Sequence, residues 1–176
     1  WYLYTASQPG DSRRFSQDLV NEVVRRFLLT LWNVYSFFTT YASVDRFQPS
    51  QVPEGWKATS ELDRWLLSEL NSLVAQVDRH LENYNPTDAG RRIQDFVDRL
   101  SNWYVRRSRR RFWKSENDED KISAYATLYM CLTTLSKLMA PFTPFVAEEM
   151  YQNLVRSVDP DAPESVHLAS FPESSP

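Results

Sequence analysis

Apolar residues recur at three- and four-residue spacing in five separate stretches of this chain, a period that predicts α-helices rather than strands. The first stretch runs from Phe15 to Ala42 behind a capping Ser16, with Val20, Val24, Phe27, Leu28, Leu31, Trp32, Tyr35 and Phe38 recurring at helical spacing. Residues 43–58 are polar and carry Pro49, Pro53 and Gly55, so a connecting loop is predicted there. A second helix is predicted from Ser60, with Asp63 at capping-box spacing, through Leu66, Leu70, Leu73, Val77 and Leu81 to about Tyr84. Asn85-Pro86 offers a cap followed by proline in the first helical position and opens a third helix. A fourth spans about Asp120 to Met139, with Tyr125, Leu128, Leu132 and Leu135 on one face and Pro141 ending it. Thr143-Pro144 repeats the cap-and-proline signature, and a fifth helix continues through Val146 and Met150 to about Arg156. The tail from Ser157 is loop-like, apart from a short strand expected at Val166 to Leu168.

Long helices joined by short connections pack as an antiparallel bundle, so the fold class is all-α with about five helices and an irregular C-terminal tail. The expected division is a connector at 1–14, the bundle at 15–156 and an extension at 157–176. Trp1 begins in mid-pattern, without a methionine or a basic leader, so an excised piece of a longer chain is expected, with any catalytic apparatus outside it.

Composition narrows the function classes. At 176 residues and 42% hydrophobic content the chain can bury one sizeable core. Only three glycines are present, which disfavours phosphate loops and dinucleotide fingerprints, and neither motif occurs. The single cysteine, Cys131, lies in an apolar helical run; it can form neither a disulfide nor a cysteine zinc site within the chain and reads as a core residue in a reducing compartment. No stretch of about 18 uncharged apolar residues exists. The di-metal bundle pattern needs a Glu-x-x-His pair on each of two helices, and only one such spacing occurs, Glu164 before His167 in the loop-like tail, with none before His80; the two histidines support no nucleophilic triad.

Charge changes the picture most. The chain is acidic overall, at −3, yet residues 91–114 hold nine Lys/Arg against two Asp, while residues 115–176 hold three against ten acidic residues. The stretch from Leu100 to Lys114 alone carries six cations and four aromatic rings. Cations neutralise phosphates while flat rings accept unstacked bases, a combination suited to an exposed RNA loop more than to lipid or duplex DNA. The competing reading is a solvated charged face. Helical phase argues against that: Ile93, Phe96, Val97, Leu100, Trp103 and Tyr104 fall within an arc of about 120°, and Arg107 and Arg111 continue the same arc. Buried arginines without partners would be costly, so the helix either outruns its bundle or meets an anion. Glu116, Asp118, Glu119 and Asp120 are the candidate anions within the chain.

The run Asn102-Trp103-Tyr104-Val105-Arg106-Arg107-Ser108-Arg109-Arg110-Arg111-Phe112-Trp113 closely resembles the isoleucyl-tRNA synthetase family, in the bundle that follows its catalytic core. Arg14-Phe15-Ser16, the segment from Phe27 to Phe38, Leu62-Asp63-Arg64-Trp65, Ala124 to Tyr129, Met139 to Phe145 and Glu164 to Leu168 resemble the same family in the expected order, so the likeness covers nearly the whole chain. Valyl and leucyl enzymes share the Ala-Pro-Phe-x-Pro element, whereas the arginine-aromatic run is more specific. The resemblance implies an α-helical anticodon-binding domain of an ATP-dependent ligase that charges tRNA with isoleucine in the cytoplasm. ATP and magnesium would belong to the missing catalytic region and zinc to a missing C-terminal segment, while this chain holds no cofactor and catalyses nothing alone. The expected partners are the anticodon stem-loop of isoleucine tRNA and the other domains of the same chain, in a monomer, with no DNA and no membrane.

On that resemblance and on the chemistry of splayed anticodon bases, Trp113 is assigned as a stacking ring. Arg109, Arg110 and Lys114, with Arg106 beside them, are phosphate or base-edge contacts, and Asn33 is an amide reader on the first helix with Trp32 as a second ring. Trp103, Tyr104 and Trp32 lie on or beside core stripes, and burial is the expectation for each; Trp113 lies off the stripe and is expected at the surface. Asn33 and Asn102 equally suit helix capping or bridging, and Arg106 and Arg107 equally suit ion pairs with Asp95, Asp98 or Glu148. Two rivals remain: a helical module that docks on an acidic protein surface, and the equivalent domain of a valine-type synthetase.

Overall fold

The computed structural model describes residues 1–114 and 119–174. Five helical rods form, and no strand occurs among the described residues. The first rod joins α2 (Gln17–Val23) to α3 (Leu29–Asp45) through a π-helical turn, Val24–Leu28. The second is α4 (Glu61–Glu82). The third joins α5 (Pro86–Arg99) to α6 (Arg106–Trp113) through a second π turn, Leu100–Val105. The fourth is α7 (Glu119–Met139), and the fifth is α8 (Pro144–Tyr151) continued by a π turn, Gln152–Arg156. A short helix, α1 (Tyr2–Thr5), precedes them.

Local chemistry explains most of the boundaries. Ser16 accepts from the Leu19 N–H and Asn85 from the Asp88 N–H, each capping a helix start. The first rod runs to Asp45, beyond the predicted Ala42, and stops where Arg46 turns left-handed at φ 55°. The capping box at Ser60 does not form: Ser60 makes no side-chain cap, because Asp63 is drawn into the core by Arg111. The strand expected at Val166–Leu168 is instead a 3-10 turn. No neighbouring strand is present among the described residues to pair its backbone, and the Val166 N–H donates to the Glu148 carboxylate at 2.9 Å.

Residues 1–14 pack on the start of α5. Thr87 donates to the Ser7 carbonyl at 3.0 Å and Arg91 to the Thr5 carbonyl at 3.2 Å. The approach is close enough that a Cβ added at Gly90 would lie 2.6 Å from the Thr5 methyl.

Consecutive rods run antiparallel around a core rich in rings. Phe47 stacks on Tyr125 at 4.9 Å, Phe112 meets Tyr125 edge-on at 4.9 Å, and Phe37 meets Phe112 at 5.1 Å. These contacts gather the end of α3, the end of α6 and the start of α7 at one end of the bundle. The basic run of the sequence emerges there.

Candidate nucleic-acid interface

The π turn at Leu100–Val105 decides which side of the third rod faces outward. A π turn adds one residue to the helix and advances the phase by about 100°. Up to its first residue, Ile93, Phe96, Val97 and Leu100 are buried; from Tyr104 onward the buried positions are Tyr104, Val105, Ser108 and Phe112 rather than a continuation through Trp103 and Arg107. Trp103 is therefore 46% exposed, against the expectation of burial, while Tyr104 is fully buried as expected. Arg107 turns outward with Trp103 and lies over its ring, Cζ 3.7 Å from the centroid. Trp32 also departs from the expected burial, at 39% exposed, its ring against Tyr35.

Arg111 alone of the two core-arc arginines points inward, and it meets an anion. Its terminal nitrogens donate to both Asp63 carboxylate oxygens at 2.6 and 2.7 Å, a bidentate pair in which the aspartate is wholly buried. Tyr104 and Ser123 each donate to the same carboxylate at 2.8 Å. Burial alone would raise the Asp63 pKa, but the hydrogen bonds from Arg111, Tyr104 and Ser123 outweigh it and hold the carboxyl below its ordinary value. The Tyr104 hydroxyl is pushed well upward, by burial first and then by the Asp63 charge.

Arg111 also pairs with Asp120 at 2.8 Å, so one of the expected acidic partners is engaged; Glu116 and Asp118 lie outside the described residues. Lys114 pairs with Asp120 at 3.1 Å, and its carbonyl accepts from Lys121 at 2.8 Å. Lys121 in turn pairs with Asp45 at 2.6 Å. A chain of charges thus ties the end of α6 to the starts of α4 and α7 and to the end of α3.

With Arg111 committed inward, Arg106, Arg109 and Arg110 are exposed and make no ion pair among the described residues. Asp98, one partner expected for Arg106 or Arg107, accepts from Asn102 at 2.7 Å instead, and Glu148 is occupied by Gln152, Ser165 and Val166. Trp113 follows at 56% exposed. At 100° per residue, Arg106, Arg109, Arg110 and Trp113 occupy the half of α6 opposite Ser108 and Phe112. Asn33 is exposed on α3, about 40° around the helix from Phe37, the residue that meets Phe112. Trp32 points about 100° away from Asn33, toward the α8 side, where its neighbour Tyr35 interacts with Asn153. The geometry therefore brings Arg106, Arg109, Arg110 and Trp113 onto one face, sets Lys114 at its end in an internal ion pair, and puts Asn33 and Trp32 on different sides of α3.

A helix face with three exposed, uncommitted arginines and a ring at its end suits a polyanion that carries flat groups. Residues 63–176 match the family model described as the anticodon-binding domain of tRNA ligase. The chain belongs to that anticodon-binding domain family. Among curated relatives it is 70% identical to an isoleucine–tRNA ligase of Dehalococcoides mccartyi, over 98% of this chain and 17% of the relative. It is 54% identical to the isoleucine–tRNA ligase of Thermus thermophilus, over 100% of the chain and 17% of the relative. It is also 54% identical to that of Clostridium novyi, over 98% and 17%. The chain thus spans about 17% of the length of the curated relatives it matches.

Two features of the anticodon-binding domain leave no local signal in the sequence. The Asp63 carboxylate sits far in sequence from Arg111, and the π turn carries no local mark beyond the mismatch it resolves, an apolar stripe that would otherwise run into arginines. Among the described residues no three His, Cys, Asp or Glu side chains converge as a metal set, and no helix is long and apolar enough to cross a membrane.

Proposed function

We propose that this domain recognises the anticodon stem-loop of isoleucine tRNA within a cytoplasmic isoleucine–tRNA ligase. The observation that carries the reading is the outward face of α6, where Arg106, Arg109 and Arg110 stand without ion pairs beside an exposed Trp113. The arginines hold loop phosphates and set the register of the RNA, Trp113 stacks on an unpaired base, and Asn33 reads a base edge from α3. Trp32 serves as a second ring on the neighbouring side of α3, and Lys114 contributes its charge at the end of the face while anchored to Asp120. The domain works by positioning and discrimination, and the reacting groups belong to the rest of the ligase chain. ATP and magnesium act in that remainder, and any zinc is held by a segment outside this one.

The face makes a quantitative expectation. Three arginines on single-stranded RNA contribute a slope of about −2 to log affinity against log salt. Replacing Arg106, Arg109 and Arg110 by Ala should flatten the slope by that amount in a fluorescence-anisotropy titration with an isoleucine tRNA stem-loop. Trp113→Ala should weaken binding by about 1–3 kcal/mol. An unchanged slope and affinity in both variants contradict the assignment of this face to RNA.

A further inference from the structure

The helix α6 is an unfavourable one on its own. It is eight residues long, and Arg106 with Arg110 and Arg107 with Arg111 set like charges four residues apart on its surface. A helix end also leaves its final carbonyls without partners inside the helix, which promotes fraying. Contacts from outside must therefore hold the final turn, from which Arg110 and Trp113 project. Phe112 holds it through its ring contact with Tyr125, and Arg111 through Asp63. Beyond them Lys114 leaves the helix with an extended backbone, φ −64° and ψ 146°, and its carbonyl accepts a hydrogen bond from the Lys121 ammonium at 2.8 Å.

The Lys121 side chain is only 1% exposed, and its ammonium also meets the Asp45 carboxylate at 2.6 Å, an oxygen that the Tyr125 hydroxyl shares. Burying an ammonium costs desolvation that a packed apolar side chain avoids, so stability alone is a poor reason for a lysine at this position. A donor to a backbone carbonyl is what an apolar side chain cannot supply. Asp45 compensates Lys121 as Asp120 and Asp63 compensate Lys114 and Arg111. The inner network is therefore neutral, and the uncompensated charge of α6 is that of its outward arginines.

We propose that Lys121 is a positioning residue for the RNA face: held at the start of α7 and neutralised by Asp45 at the end of α3, it fastens the residue that follows Trp113 and fixes the bearing of that ring before RNA arrives. The inference rests on the RNA-binding reading above and adds that the end of the face is built in the free chain. A ring fixed in advance loses less conformational freedom when it binds, so more of its contact energy appears as affinity. Lys121 itself is buried away from the RNA and acts through the Lys114 backbone.

The test is a double-mutant cycle on RNA binding, backed by hydrogen exchange. Lys121→Met combined with Asp45→Asn removes the donor and its countercharge together, so neither buried charge is orphaned. In the wild-type chain Trp113→Ala should weaken binding of an isoleucine tRNA stem-loop by about fivefold or more, the lower end of one base-aromatic stack. In the doubly substituted background the same change should weaken it by less than about twofold, a coupling between Lys121 and Trp113 that a loss of global stability does not produce while both backgrounds remain folded. In the free wild-type chain the amides of Phe112, Trp113 and Lys114 should exchange at least about tenfold more slowly than in an unstructured peptide. Exchange at the unstructured rate overturns the proposal without any variant, and decides the matter if the doubly substituted chain does not fold. An equal loss for Trp113→Ala in both backgrounds also overturns it and leaves the RNA face standing. If the stem-loop does not bind the wild-type chain at low salt, the RNA reading falls and this inference falls with it.

Discussion

Arg111→Met is the perturbation that most directly tests how the end of the bundle is held. In the folded chain the Asp63 carboxylate is wholly buried and receives two hydrogen bonds from Arg111 and one each from Tyr104 and Ser123. Removing the guanidinium leaves a buried carboxylate with two neutral donors and no countercharge, and breaking one side of such a pair costs about 3–5 kcal/mol. That is a large part of the roughly 5–15 kcal/mol that holds a domain folded. The exposed pair of Arg26 with Glu22 supplies the contrast: Arg26→Ala should cost less than about 0.5 kcal/mol, because both side chains remain in water. Replacing both members, as Asp63→Leu with Arg111→Met, should recover part of the loss, leaving mainly the orphaned Tyr104 and Ser123 hydroxyls at about 1–3 kcal/mol each. The pH dependence has a definite sign. Asp63 has a depressed pKa in the folded chain, so its contribution is fully present above the unfolded value of about 3.9 and is lost as pH falls through the folded value. Urea unfolding followed by circular dichroism measures these differences as shifts in midpoint at constant slope. A loss below about 1 kcal/mol for Arg111→Met at pH 7, or a loss that does not shrink under acid, refutes the reasoning.

Two other predictions concern the rods themselves. Gly90→Ala should lower stability by about 1–3 kcal/mol, offset in part by the better helix propensity of alanine, because its Cβ meets the Thr5 methyl; adding Thr5→Ser, which removes that methyl and keeps the hydroxyl, should convert the loss into a gain in the same urea assay. Deleting Asn102 should be tolerated with a change of about 1 kcal/mol or less, since removing the extra residue of the π turn leaves Ser108 and Phe112 facing the core, whereas inserting an alanine beside Asn102 should rotate the arginine face inward and prevent folding. Equal stability of the two length variants would contradict the role given to the π turn.

Much of the fold is legible in the sequence because helices are written in local period and in caps. Asn85-Pro86 starts α5 where the pattern places it, and Ser16 caps the first rod. Errors cluster where a distant residue overrides a local rule. Asp63 has the spacing of a capping residue, but an arginine 48 positions away along the chain draws it into the core. Trp103 fits the stripe of α5 and is turned out by a π turn whose insertion no residue type announces. Val166–Leu168 has strand-like residues and, among the described residues, no strand to pair with. The composition of the proposed RNA face, arginines with Trp113, was visible in one continuous run. The Lys121 anchor was not, because its partners come from α3 and the end of α6 and meet only in the folded chain.

Binding of this chain to isoleucine tRNA and to a copy with a substituted anticodon, each at two salt concentrations, tests the central claim most directly. The account predicts tighter binding to the native anticodon, with both affinities falling steeply as salt rises and the preference persisting. Equal affinity for the two RNAs, or binding indifferent to salt, would contradict it.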